Sequence, residues 1–192
     1  AEFRAVLLYG VTGSGKTEVY LRAAEHCLSR GRTALFLVPE IGLTPHLSQA
    51  LAHRFGEQIS VLHSGLSDRQ REEAWQRARL GEARIVVGAR SALFAPMNAP
   101  GLIVVDEEHD GAYKQQEGAR YHARDLAIVR AREAGAVVLL GSATPSLEAW
   151  SMTQGGKAEL LELPERVGNA ALAEVELVDM RGSTLPGTMW RF

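Results

Sequence analysis

The chain has 192 residues, 46% of them hydrophobic and 23% charged, with a formal net charge of −2. This length and ordinary globular composition suffice for one well-buried domain, and no apolar stretch nears the ~20 residues that span a bilayer. The charge argues neither for nor against nucleic acid, so any such contact must come from local patches. In chain order, strands are expected at Val6–Tyr9, Ala34–Val38, Ile59–Leu62, Arg84–Val87, Leu102–Asp106 and Val137–Leu140. Most are short apolar runs without alternation, as expected of strands covered on both faces. Helices are expected between them at Thr17–Ser29, Leu47–Phe55, Asp68–Arg79, Ala123–Glu133 and Ser146–Gln154. Ser67 is a candidate N-cap for the third, and Gly81 and Gly135 are stop signals.

This alternation predicts an α/β fold with a largely parallel sheet flanked by helices on both faces. The character changes near Gly155-Gly156. Lys157–Leu163 reads as a further strand, Pro164 and Gly168 follow, and Val175–Val178 suggests a strand leading elsewhere. The expectation is a domain over 1–163 and a linker, or the start of a second lobe, over 164–192, in a piece of a longer protein. The opening AEFRAVLLYG is not a signal peptide, because its apolar run leads straight into a glycine-rich turn. The single cysteine, Cys27, excludes an internal disulfide and argues against a cysteine-based zinc site. These features fit a reducing cytoplasm.

Residues 10–17, GVTGSGKT, satisfy G-x-x-x-x-G-K-[ST] between a strand and a helix, the setting that confirms a phosphate-binding loop. Gly10, Gly13 and Gly15 let the backbone turn tightly, so that its N–H groups, with those of Thr12 and Ser14, approach the phosphates of ATP. The helix that follows adds its positive end. Lys16 can reach the β- and γ-phosphates, and the Thr17 hydroxyl can ligate Mg²⁺.

The run Leu102–Val105 ends in Asp106-Glu107-Glu108-His109. Strand ends of this kind line the ligand crevice of an open α/β sheet. Asp106 would hold Mg²⁺, and Glu107 is the candidate to polarise an attacking water. The bland alternative is a solvated loop. His109 is either a surface histidine or a group coupling the γ-phosphate to another segment. Gly141-Ser142-Ala143-Thr144-Pro145 follows the next strand. Its hydroxyls can bond the acidic loop and relay nucleotide state, or Thr144 or Ser146 can simply cap the next helix.

The phosphate loop, D-E-E-H and S-A-T, in this order, resemble motifs I, II and III of superfamily 2 helicases with RecA-like lobes. VPEIGLTP (38–45), LHSGLSD (62–68), GARSALFAP (88–96), DEEHDGAYKQQEGARYHARDLA (106–127) and GSATPSLE (141–148) closely resemble the primosomal replication-restart helicases, the primosomal protein N′ or PriA family. The resemblance runs over about residues 4–181. It implies the first RecA-like lobe of a 3′-to-5′ DNA helicase that restarts stalled forks. Lys16, Asp106, Glu107 and His109 would be its catalytic set, and forked and single-stranded DNA its substrates. Single-stranded-DNA-binding protein and primosome proteins would be its partners, and this piece alone would be a monomer without zinc. Thr44, Arg90 and Ser91, with the backbone near Gly42, would meet DNA phosphates, unless Arg90 and Ser91 are merely a surface turn. Tyr113–Arg124 resembles the family's aromatic-rich loop. Tyr113 and Tyr121 would stack on bases, with Lys114, Arg120 and Arg124 on phosphates, and Ser142 and Thr144 would couple. Ala119 departs from the pattern, standing where relatives often carry a bulky aromatic. The second lobe of the family supplies an arginine finger, worth about 10³–10⁵ in rate in related enzymes, so this chain alone is expected to turn ATP over poorly. A small-molecule kinase would need a lid with clustered arginines, and none is evident. A non-catalytic nucleotide-binding module remains the other alternative.

Overall fold

Apolar runs this short and this continuous bury both faces of a strand, and the computed structural model, which describes residues 2–39 and 45–169, shows that arrangement. The strands are β1 (Arg4–Gly10), β2 (Thr33–Leu37), β3 (Ile59–Leu62), β4 (Ile85–Gly88), β5 (Pro100–Val105), β6 (Lys114–Gln115), β7 (Tyr121–His122), β8 (Val137–Ser142) and β9 (Glu159–Leu163). The helices are α1 (Lys16–Ser29), α2 (Pro45–Phe55), α3 (Asp68–Leu80), α4 (Ala123–Glu133) and α5 (Leu147–Gln154). Seven strands form one sheet in the order β3-β4-β2-β5-β8-β1-β9, each pair parallel. Parallel neighbours need crossover connections, which the helices provide. All carboxyl ends therefore lie along one edge.

Successive residues of a strand point to opposite faces, and the core divides accordingly. Leu7, Leu35, Leu37, Ile103 and Leu140 pack on one face with Ala123, Ala127 and Ala131 of α4. Leu8, Phe36, Val104 and Leu139 pack on the other with Tyr20, Leu21 and Ala24 of α1. The three α4 alanines recur every fourth residue and are wholly buried, which lets that helix lie close to the sheet. Local signals hold as well. Ser67 and Gln70 form a reciprocal capping box at the start of α3, and Gly81 closes it in a left-handed conformation, φ 78°.

Most element ends move by a residue or two from the sequence expectation, while β3 and α4 match it. Two differences matter for the site. The segment from 113 up to α4, expected as a loop, holds the end of a tight turn at Gly111–Tyr113 and the antiparallel ribbon β6–β7. The strand after Gly156 joins the same sheet, pairing with β1 from Val6↔Glu159 to Gly10↔Leu163. Beyond it the chain stays on the domain, and the Val167 N–H donates to the Gly13 carbonyl at 3.0 Å. The expected strand 175–178 and the tail lie outside the described residues, as do Gly42 and Thr44. Among the described residues no helix is long and apolar enough to cross a membrane.

Candidate active site

β1 ends in the phosphate loop, β5 in the acidic turn, and β8, between them, in Gly141–Thr144. The sheet order alone thus brings the three motifs to one edge. In the loop, Gly13 and Gly15 adopt φ of 80° and 92°, a region costly for residues with a side chain. Gly10 is required for a different reason, because a Cβ there would lie 2.6 Å from Ser14 Oγ. Gly15 caps α1 without a side-chain hydrogen bond, so the first N–H groups of the helix face the loop without that partner. Ser14 Oγ is buried and also lacks a partner. Lys16, nearly buried, donates from Nζ to the Gly10 carbonyl at 2.6 Å across the loop. An orphan hydroxyl, an uncapped helix start and an enclosed ammonium form a donor set that fits a polyphosphate.

The acidic turn is anchored on both sides. The Asp106 N–H donates to Leu37 O at 2.9 Å and that of Glu108 to Gly141 O at 3.0 Å. Between them Glu107 takes φ 46°, a left-handed conformation that non-glycine residues rarely hold. Asp106 Oδ1 accepts a hydrogen bond from the Tyr20 hydroxyl at 2.9 Å. Burial lifts the Asp106 carboxyl above the usual range, against the opposing pull of the Tyr20 hydrogen bond and of Lys16. Glu107 is also raised, first by desolvation and then by the neighbouring Asp106 charge. Two carboxylates with elevated proton affinity beside a lysine suit cation binding and proton acceptance.

Glu108 points the other way and is 0% exposed. Its oxygens accept from the Ser146 N–H at 2.7 Å, the Ser146 hydroxyl at 2.9 Å and Arg124 Nη1 at 3.1 Å. Ser146 also caps α5, accepting from the Ala149 N–H. His109 faces the end of β8, with Nδ1 2.7 Å from Ser142 Oγ and Nε2 3.4 Å from Thr144 Oγ1. The Thr144 N–H donates to the same Ser142 hydroxyl at 2.9 Å. Glu107 lies 3.7 Å from the histidine. The acidic turn and the Ser142–Thr144 hydroxyls thus form one hydrogen-bonded unit.

The model of the family described as "DEAD/DEAH box helicase" matches residues 1–152, which hold all three motifs. This chain belongs to that helicase family. It is similar to the replication restart protein PriA of Bacillus subtilis, 51% identical over 180 residues, which are 94% of this chain and 22% of that protein. It is equally similar to that of Haemophilus influenzae, 51% identical over 183 residues, 95% of this chain and 25% of that protein. The chain therefore spans about a quarter of the length of these curated relatives. Solved structures share the fold. They include RecG bound to a three-way DNA junction (TM-score 0.60, 19% identity, 88% of this chain and 21% of that one) and the Pyrococcus furiosus Hef helicase domain (TM-score 0.56, 22% identity, 84% and 35%).

On this helicase lobe, two residues expected at the DNA sit elsewhere. Tyr113 is wholly buried, and its hydroxyl is shared between the carbonyls of Leu37 and Asp106 at 3.0 and 2.5 Å. It cannot stack on a base. Instead it fastens the acidic turn to β2, and its burial raises its pKa well above the ordinary tyrosine value. Arg124 is likewise enclosed, with a side chain 8% exposed and engaged by Glu108 and Asp125, so it supports the turn and does not meet phosphates.

Among the described residues, the others expected at the DNA do reach the surface. Lys114, Arg120 and Tyr121 line a groove of about 520 Å³ with Gln115, Gln116 and His122. Ser91 is exposed, and Arg90 tethers the ribbon by donating to Ala112 O and Lys114 O at 3.2 and 2.9 Å. Sequence reasoning missed Tyr20, Glu108 and Phe94. Tyr20 had a signal, four residues after Lys16 and so on the same helix face. Phe94 is 51% exposed and packs edge-on against Tyr121, centroids 5.3 Å apart. It puts a second aromatic beside the groove on a segment whose arginine and serine alone had drawn notice. Glu108 had no distinguishing signal among three consecutive acids.

Proposed function

We propose that this chain is the ATP-binding motor lobe of a 3′-to-5′ DNA helicase that acts in replication restart. The observation that carries the reading is the convergence of Lys16, Asp106, Glu107 and the His109–Ser142–Thr144 unit on one sheet edge. The backbone of residues 12–17 and Lys16 bind the phosphates, and Thr17 and Asp106 hold Mg²⁺. A cation held there would supply charge neutralisation at the phosphates. Glu107 accepts the proton of the attacking water, and its raised proton affinity suits it to that task. His109 then passes the state of the site to Ser142 and Thr144, and Arg90 joins the acidic side of the lobe to the ribbon.

Single-stranded and forked DNA lie along the ribbon side, with Lys114 and Arg120 on phosphates and Tyr121 and Phe94 against bases. Arg90 and Ser91 border the same path. By likeness to relatives named as replication restart proteins, the setting is the cytoplasm, with single-stranded-DNA-binding protein and primosome proteins as partners. A second lobe completes the ATP site, so the isolated chain is a weak ATPase and a monomer.

The test is ATP hydrolysis by the full-length parent, wild type against Glu107→Gln, with and without forked DNA. DNA should stimulate the wild type, and the substitution should abolish turnover while nucleotide binding survives. Hydrolysis indifferent to DNA would refute the motor reading.

A further inference from the structure

Tyr20 sits on α1 three residues after Thr17 and four after Lys16, turned inward and 1% exposed. Its ring belongs to the core cluster under β1, β2 and β5, yet its hydroxyl reaches the strand ends and donates to Asp106 Oδ1 at 2.9 Å. A Cβ added to Gly141 would lie 1.7 Å from that hydroxyl oxygen, 2.8 Å from the ring carbon bearing it and 3.4 Å from Asp106 Oδ1. The hydroxyl fills the space that any other residue at 141 would need. Gly141 has no left-handed conformation to explain it, so close approach is its reason.

We propose that Tyr20 is a positioning residue. It pins one oxygen of the metal-holding Asp106 to the same helix that carries Thr17, and Gly141 is glycine to admit it. The inference rests on the Mg-nucleotide reading of the site. A buried tyrosine hydroxyl needs a partner, and a core ring alone could have been phenylalanine. By taking Oδ1, the hydroxyl fixes the rotation of the carboxylate and directs Oδ2 outward. Thr17 and Asp106 come from segments about ninety residues apart in a fold of this kind, and α1 sets their separation through one side chain. Three motifs meet at that hydroxyl: the phosphate-loop helix, the acidic turn and the end of β8.

The test measures binding of a fluorescent ADP to the chain over a range of Mg²⁺ concentrations, in wild type, Tyr20→Phe and Asp106→Asn. Tyr20→Phe keeps the ring and loses only the hydroxyl. The Mg²⁺ concentration at half effect should rise about tenfold, the order expected for a lost hydrogen bond to a charged group, while metal-free ADP affinity stays constant. An unchanged Mg²⁺ dependence in Tyr20→Phe, alongside a shifted one in Asp106→Asn, overturns this inference and leaves the site reading intact. No shift in Asp106→Asn overturns the site reading itself.

A second measurement is thermal. Gly141→Ala should lower the melting temperature, and Gly141→Ala combined with Tyr20→Phe should recover part of the loss. Equal stability of Gly141→Ala and wild type, or no recovery in the double variant, overturns the claim that the hydroxyl occupies this space.

Discussion

The phosphate loop works through backbone. Gly13 and Gly15 hold conformations open to glycine, the first turn of α1 supplies N–H groups, and every group lies within eight residues. The acidic turn across from it works through side chains held by distant partners. Asp106 depends on Tyr20, Glu108 on Arg124 and Ser146, and His109 on Ser142 and Thr144. The difference teaches where each half is vulnerable. A loop made of backbone loses its ligand before its fold. A turn made of buried charge loses its fold first.

The largest effect should come from Glu108→Ala, which removes the buried carboxylate partner of Arg124, leaving it Asp125 and the Ser146 hydroxyl, and strips the Ser146 N–H of its acceptor. Breaking a buried pair costs about 3–5 kcal/mol, to be read by urea denaturation, and an equal stability of variant and wild type would erase the contrast drawn above. Next are the tyrosines. Tyr121→Ala should weaken single-stranded DNA binding by about 1–3 kcal/mol in titrations with the parent protein. Tyr113→Phe should leave DNA affinity alone and lower stability by ~1 kcal/mol. A DNA defect in the second variant would return Tyr113 to the interface.

Comparable in stability is Gly13→Ala. An added Cβ meets nothing within 4 Å there, so only the left-handed strain of about 1–2 kcal/mol remains, while nucleotide affinity should fall sharply in equilibrium binding. The smallest effect has the opposite sign. Burial raises the proton affinity of Asp106 and Glu107, so the folded chain keeps protons that the unfolded chain releases in the ordinary carboxylate range. Stability without metal therefore falls as pH rises from that range through the elevated folded values. Asp106→Asn should flatten that decline and raise the melting temperature at neutral pH. A melting temperature that rises with pH across the window in wild type would contradict the shift.

The same contrast explains what could be read from the sequence. Local physics was legible: the apolar runs that became β1 to β5, β8 and β9, the Ser67 cap, the Gly81 stop and the whole of Gly10–Thr17. The family motifs also located the acidic turn and its Ser142–Thr144 partner. What sequence reasoning misplaced were Tyr113 and Arg124, polar residues flanking the β6–β7 ribbon whose side chains turn into the domain. Nothing in their neighbours reveals that turn. It follows from Tyr113 preceding β6 by one residue and from Arg124 opening a helix whose alanine stripe faces the sheet. Glu107 and Glu108, identical and adjacent, take opposite directions because the left-handed residue between two anchored N–H groups swings one carboxylate out and the next one in.

The bond from Val167 to Gly13 has a mechanical meaning. The chain leaving β9 is stitched to the nucleotide grip, and β9 itself runs parallel to β1 along five paired positions from Val6 to Gly10. Tension applied to the exit along the strand axis loads that ladder in shear, with its hydrogen bonds resisting together. The strand that hands the chain onward is therefore also the strut that keeps the phosphate loop from being dragged open.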